Sequence, residues 1–303
     1  MSRYTLRSLL LTACFLFVAS NAFGESEMLK PFVLASKSTG TIADKSQGAK
    51  SALLGAGFTL VGEYSPYQDA NILVITNDEM KANAANSEHG GFGVVQRVAI
   101  TKVNGEIQVS YTNPVYMANA YRMKGDLRKV SAVLGAALGK LEEFGSKQGM
   151  TASQARKYHY MIAMEYFDEP SLLAEYENYE QAVQAVDAKL TANGNGVTKV
   201  YRVDVPGKQE TLFGAGLKSN AEADKYMDDR FIMSEIDFHD LRSTAHLPYE
   251  VLVSGGKVYA LYARFRIAIN FPDLSMMGKN SFMNIMKTPD AIRDVLKKTV
   301  SKD

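Results

Sequence analysis

Arg97-Val-Ala-Ile-Thr-Lys-Val-Asn-Gly-Glu-Ile-Gln-Val-Ser-Tyr111 is the stretch that decides the fold class. Apolar residues alternate on both sides of Asn104-Gly105, and an Asn-Gly pair supplies the positive φ angles of a two-residue type I′ turn. The stretch therefore predicts an antiparallel hairpin. The same design returns downstream as Tyr249-Glu-Val-Leu-Val253, Ser254-Gly-Gly256 and Lys257-Val-Tyr-Ala-Leu-Tyr262. Two such hairpins in one chain point to an internal repeat.

Working outward, each hairpin has the same surroundings. Upstream of the first lie two strand-like runs, Phe58–Tyr64 and Ala70–Thr76; upstream of the second lie Val197–Val203 and Glu210–Gly214. A helix precedes each pair. Thr41-x-x-Asp44 resembles a capping box, with Gly55 to Gly57 as the stop, and Tyr176, Tyr179, Val183, Val186 and Leu190 share one helical face. A helix also closes each unit. The first carries Leu127, Val130, Leu134, Leu138 and Leu141 after Asp126; the second opens at Thr288-Pro289, where proline's missing N–H costs nothing. Apolar strands are expected to open the units at Pro31–Ser36 and Tyr160–Tyr166. Each unit thus reads β-α-β4-α, and the class is α+β with two tandem units, 25–149 and 150–303, joined near Gly145–Ser153. Long connections, Asn77–Gly93 and Lys218–Leu247, fall at the same place in both and are candidate functional surface.

The first 24 residues read differently. Arg3 and Arg7 precede an apolar run from Leu9 to Ala19, and Ala22 and Gly24 stand at −3 and −1 before Glu25. This is a secretory signal peptide, with an apolar run too short to span a membrane. Leu11-Thr-Ala-Cys14 also resembles a lipobox, although the apolar Phe15-Leu-Phe-Val18 after it is not what a lipoprotein shows. Cleavage after Gly24 leaves a mature chain with no cysteine and no membrane-spanning segment, destined for the periplasm or beyond.

Composition narrows the function classes. The 303 residues are 46% hydrophobic, which excludes a disordered chain. Lys and Arg total 34 against 33 Asp and Glu, and the signal removes two arginines and no acid, so a nucleic-acid partner is not expected. The single cysteine excludes a disulfide framework and Cys-based metal sites.

Gly57-Phe-Thr-Leu-Val-Gly-Glu63, Ile72-Leu-Val-Ile75 and, above all, Val109-Ser-Tyr-Thr-Asn-Pro-Val-Tyr116 resemble the DUF302 family of bacterial proteins of unknown function. The resemblance covers roughly residues 30 to 145. The second half shares only the element pattern, with Arg264-Phe265 where Asn113-Pro114 stands in the first. The resemblance implies units like one half of TATA-binding protein, each an antiparallel sheet with helices on one face, paired as a pseudo-dimer within one chain. It implies no reaction. Where family members often carry a histidine, this chain has Ser65-Pro66.

Candidate chemistry is sparse. No nucleophile elbow, HExxH motif, Walker loop or dinucleotide fingerprint is present, and Gly90-Gly91-Phe92-Gly93 leads into a strand rather than a helix. Asp228-Asp229, Glu235, Asp237 and Asp240 crowd the second long connection, where paired carboxylates could raise one another's pKa, and read most simply as a solvated acidic loop. Lys257, Arg264 and Arg266 make the last hairpin basic. His159 reads as a sheet residue and His89 as a loop residue. The expectation is an exported, non-catalytic binding or interaction protein without a cofactor, taking an unknown small molecule or protein near Tyr111, Asn113 and Tyr116. The alternative is a periplasmic copper-binding protein or metal-dependent enzyme. It would use His239, His246 and the Met276, Met277, Met283, Met286 cluster, with Met283 and Met286 as soft thioether ligands.

Overall fold

The computed structural model describes residues 27–160 and 164–302. The signal segment, its cleavage point and Cys14 lie outside the described residues.

The chain forms two antiparallel sheets. The first unit runs β1 (Phe32–Ser38), α1 (Ile42–Gly55), β2 (Thr59–Tyr64), β3 (Ala70–Thr76), α2 (Asp78–Ala85), β4 (Gln96–Val103), β5 (Glu106–Thr112), α3 (Pro114–Ala120), α4 (Arg128–Leu138) and β6 (Glu142–Phe144). After the short α5 (Ala152–Arg156), the second runs β7 (Ser171–Glu175), α6 (Tyr179–Thr191), β8 (Val197–Asp204), β9 (Glu210–Leu217), α7 (Asp229–Ile236), β10 (Tyr249–Ser254), β11 (Lys257–Ala260), α8 (Ala263–Asn270) and α9 (Thr288–Val300).

Strand order is β2-β3-β4-β5-β1-β6 in one sheet and β8-β9-β10-β11-β7 in the other. Apart from β6 the two orders correspond strand for strand. Two irregularities of register recur as well. The β1–β5 ladder breaks between Leu34 and Ser36, and the β7–β11 ladder breaks at the corresponding point. The β2–β3 ladder slips between Leu60 and Gly62, and β8–β9 between Lys199 and Tyr201. Both hairpins turn where the sequence placed them, with Asn104, Gly105 and Gly255 at positive φ.

The opening strand of the second unit departs from expectation. Residues 160 and 164–166 are not in a strand, 161–163 lie outside the described residues, and the strand is Ser171–Glu175. It follows Pro170, a residue tolerated at a strand's start, and it is an edge strand with Leu172 exposed. A short, half-exposed strand gives a weaker pattern than the apolar run before it. The basic hairpin is also corrected, because Arg264 and Arg266 lie on α8 beyond the strand.

One face of each sheet carries the expected helices. α1 buries Ala49 and Leu53 against β3–β5, and α4 adds Val130 and Leu134. α6 and α9 do the same with Val186, Leu190, Ile292 and Leu296. The other faces meet the opposite unit. On β4 and β5 the residues Arg97, Ala99, Thr101, Gln108 and Ser110 share that inward face. Gln108 Nε2 donates to the Asp240 carbonyl (2.6 Å) and Gln108 Oε1 accepts from the Arg242 amide (3.0 Å). A polar strand face is thereby buried under the second unit's long connection. The edge strands β2 and β8 also run close together: a Cβ at Gly62 would stand 2.7 Å from the Val200 carbonyl oxygen, so only glycine fits there. Among the described residues no helix is long and apolar enough to cross a membrane.

Candidate functional site

A cleft of about 1310 Å³ opens where the β2–β3 turn (65–69) faces the second unit's β9–β10 connection. Thr101 and Lys102 close one side, and Leu217, Lys218, Phe231, Asp237 and Arg242 are among the residues on the other. Its walls come from both units, so neither could form it alone.

Its shape depends on α7. Asp228 caps that helix by accepting from the Phe231 amide (2.9 Å), and its other oxygen accepts from the Ser219 amide (2.9 Å). Ile232, Met233 and Ile236 face inward, and the same spacing carries Asp229 into the interior. There Asp229 Oδ2 accepts from Tyr64 Oη of the first unit (2.6 Å) and from the Leu217 amide (3.0 Å), while Oδ1 has no partner among the described residues. Tyr64 reaches it by lying over Gly216, where a Cβ would stand 2.6 Å from the ring. Burial, reinforced by the Asp228 charge, pushes the Asp229 carboxyl up to about 7 despite these hydrogen bonds.

Asp237 is buried within the cleft wall. The Ser243 amide donates to Oδ1 (2.7 Å) and Thr244 Oγ1 to Oδ2 (3.2 Å), and Tyr67 Oη lies 3.3 Å from the same threonine hydroxyl. Burial pushes Asp237 up to about 6, opposed by those donors and by Arg242. Two of the acids read as a solvated loop are thus interior groups tied to first-unit tyrosines. The signal for Asp229 was its spacing from Ile232, Met233 and Ile236.

The rim carries free cations. Lys102, Lys218 and Arg230 are exposed, and none of them forms an ion pair among the described residues. Lys225 is paired with Glu222 (2.8 Å). Asp69, Glu222, Asp228 and Asp237 line the same opening, so its five cations, Lys102, Lys218, Lys225, Arg230 and Arg242, exceed the acids by one.

The sequence-chosen residues lie elsewhere. Tyr111, Asn113 and Tyr116 are all buried. Tyr111 Oη donates to the Gly139 carbonyl (3.3 Å). Asn113 is the N-cap of α3, accepting from Val115 and Tyr116 amides while Nδ2 donates to the Lys30 carbonyl and to Glu143. Tyr116 Oη donates to the Ile269 carbonyl (2.6 Å), tying the units together. The three stand close in the fold, but none of them lines the cleft.

The candidate metal residues are separated too. His246 is fully buried, with Nδ1 accepting from Asn270 Nδ2 (3.0 Å) and Nε2 3.2 Å from Tyr249 Oη, whereas His239 is exposed beside Phe238. Burial and the charges of Arg266 and Arg97 hold His246 well below the usual imidazole range. Met276, Met277, Met283 and Met286 are exposed on the α8–α9 connection, with the Met283 amide donating to the Met276 carbonyl (3.1 Å). Among the described residues, no three His, Cys, Asp or Glu side chains gather where they could hold a metal ion. Gly90–Gly93 is a buried 3₁₀ turn packed on the second sheet, its Gly91 amide donating to Glu210 (2.9 Å) rather than facing solvent. His89 is left-handed and packs on Tyr259. His159 sits outside any strand, edge-on to Tyr166.

No family model, curated protein or solved structure matches this chain.

Proposed function

We propose that the protein is an exported, non-catalytic binding protein whose seat is the cleft between the units, and that its ligand is a polar anion. The reading moves the seat away from Tyr111, Asn113 and Tyr116, whose polar groups are occupied within the fold. The observation that carries it is the rim: among the described residues Lys102, Lys218 and Arg230 stand without ion pairs around a two-unit opening of about 1310 Å³. Cations lining a concave surface focus potential and raise the local concentration of an anionic ligand. The signal-like first 24 residues support export, and Val109–Tyr116 supports a duplicated DUF302-like origin.

The test is a thermal-shift and calorimetric panel of dicarboxylates, phosphate esters and short acidic peptides, run on the mature protein and on Lys218→Glu/Arg230→Glu. Both side chains are exposed, so the double variant folds. At least one class binds the wild type and loses about tenfold or more in affinity in the variant, a change of ~1.4 kcal/mol. A panel that leaves the wild type untouched, or that binds both proteins equally, sinks the reading.

A further inference from the structure

The contact between the units holds an imbalance of buried charge. Arg97, Glu250 and Arg266 come from β4, β10 and α8, and each side chain is at most 3% exposed. Arg97 Nη1 donates to Glu250 Oε1 (2.9 Å), which also accepts from Tyr201 Oη (2.9 Å). Arg266 approaches the other oxygen, with Nε 3.7 Å from Glu250 Oε2, too far for a hydrogen bond. Two guanidinium groups therefore bracket one carboxylate.

The hydrogen-bond inventory is also incomplete. Arg266 Nη2 donates to the His246 and Pro248 carbonyls (2.6 and 2.7 Å), but among the described residues its Nε and Nη1 have no partner. Nor, among the described residues, do Arg97 Nε and the Tyr121 hydroxyl. Tyr121 stacks on Phe167 and lies near enough to Arg266 for the two to interact, and Tyr249 covers the guanidinium at 4.9 Å. Against these four donor atoms stand three unpartnered acceptors, Glu250 Oε2, Asn270 Oδ1 and Asp229 Oδ1. Buried donors this numerous are normally satisfied, by protein or by a small occupant.

Neutral water would serve some of these donors but would leave the charge uncompensated. His246, next to both arginines, supplies no negative charge, and Asp229, the other carboxyl that acts on Arg266, is pushed by burial towards its neutral form. Arg266 is 1% exposed, so an occupant must be small and enclosed.

We infer that a monovalent inorganic anion of the chloride class binds at Arg266, held by its Nε and Nη1 with Tyr121 Oη, as a structural ion between the two units. It is distinct from the ligand of the cleft. Because only the folded state holds it, the anion raises the melting temperature by mass action.

Mature protein freed of halide is melted at constant ionic strength while gluconate, too large for an enclosed site, is replaced by chloride, bromide or nitrate. The wild type gains a few degrees with each small anion. Tyr121→Phe removes one donor without changing the packing and weakens the response several-fold, and Arg266→Met, where it folds, abolishes it. Crystals grown in bromide place an anomalous peak within hydrogen-bond distance of Arg266 Nε and Nη1. A melting temperature that follows ionic strength alone, or an Arg266 neighbourhood occupied only by water, overturns the proposal.

Discussion

Asp229→Asn separates the cost of the buried acid from its hydrogen bonds. In the wild type Oδ2 accepts from Tyr64 Oη and the Leu217 amide, and Oδ1 is unpartnered. An asparagine keeps one oxygen for both donors and puts its amide group where the unpartnered oxygen stood, so it mimics the neutral acid. Burial raises the folded-state pKa from 3.8 to about 7. A raised pKa means the folded state holds its proton longer than the unfolded chain does. The associated stability is fully present below pH ~4 and is lost as pH rises towards about 7, by about 4 kcal/mol for a shift near three units at ~1.4 kcal/mol each. The variant has no proton to lose. Urea unfolding at several pH values between 4 and 8 therefore shows the difference, variant minus wild type, rising across this window and levelling above it. An unpartnered amide costs about 1–3 kcal/mol, so a net gain of roughly 1–3 kcal/mol is expected at pH 8. Asp237, also raised by burial, contributes its own slope to both proteins and cancels in the difference. A difference that stays flat with pH, or a variant less stable than wild type at pH 8, would falsify the assignment of Asp229 as a strained interior carboxyl.

Other outcomes follow from the same contacts. Glu250→Ala leaves Arg97 and Arg266 buried without their carboxylate and lowers stability by about 3–5 kcal/mol in denaturant unfolding, whereas a loss under ~1 kcal/mol would mean the cluster is wet and screened. Copper(I), copper(II) and zinc(II) leave the melting temperature essentially where it was; a rise of several degrees that vanishes in Met283→Leu/Met286→Leu brings the metal reading back. Intact mass of protein recovered from the periplasm corresponds to a chain beginning at Glu25, and lipidation at Cys14 or an uncleaved Met1 contradicts export by an ordinary signal peptide.

How much was legible follows from which contacts are local. The hairpins at Asn104-Gly105 and Gly255-Gly256 were readable because turn chemistry and strand alternation lie within a few residues. Helix α9 was readable because Thr288-Pro289 and Ile292, Leu296 and Val300 lie within one segment. The burial of Gln108 and Ser110 was not legible for the opposite reason: what covers these polar side chains is the backbone of Asp240 and Arg242, far away in sequence. Asn113 carried a local signal that pointed the other way. Asn immediately before Pro is a helix N-cap with proline at N1, and α3 begins there. His239 and His246 are close in sequence, but the chain turns between them, leaving one exposed and the other in the core.

The correspondence between the units also explains why the cleft between them opens at the second unit's connection and not at the first's. In the first unit the β3–β4 connection, 77 to 95, lies down on the second sheet. Gly91 donates to Glu210, a Cβ at Gly91 would stand 2.4 Å from Leu252, and Lys208 from the β8–β9 turn donates to the Ser87 carbonyl. That turn and that connection are therefore closed on each other. The corresponding pair is the β2–β3 turn and the β9–β10 connection, 218 to 248. Its end makes the equivalent contact through Asp240 and Arg242, but the connection is longer, and the added stretch around Ser219 to Arg230 stands away from the turn. One segment thus fastens the units while the other carries surplus chain beside an opening. The fastening segment tolerates little change, because its glycines are buried and so is Glu210 of β9, which they meet. The surplus half is free to vary at Lys218, Ser219 and Arg230 without disturbing either sheet, and a duplicated fold acquires recognition most readily in a segment of that kind.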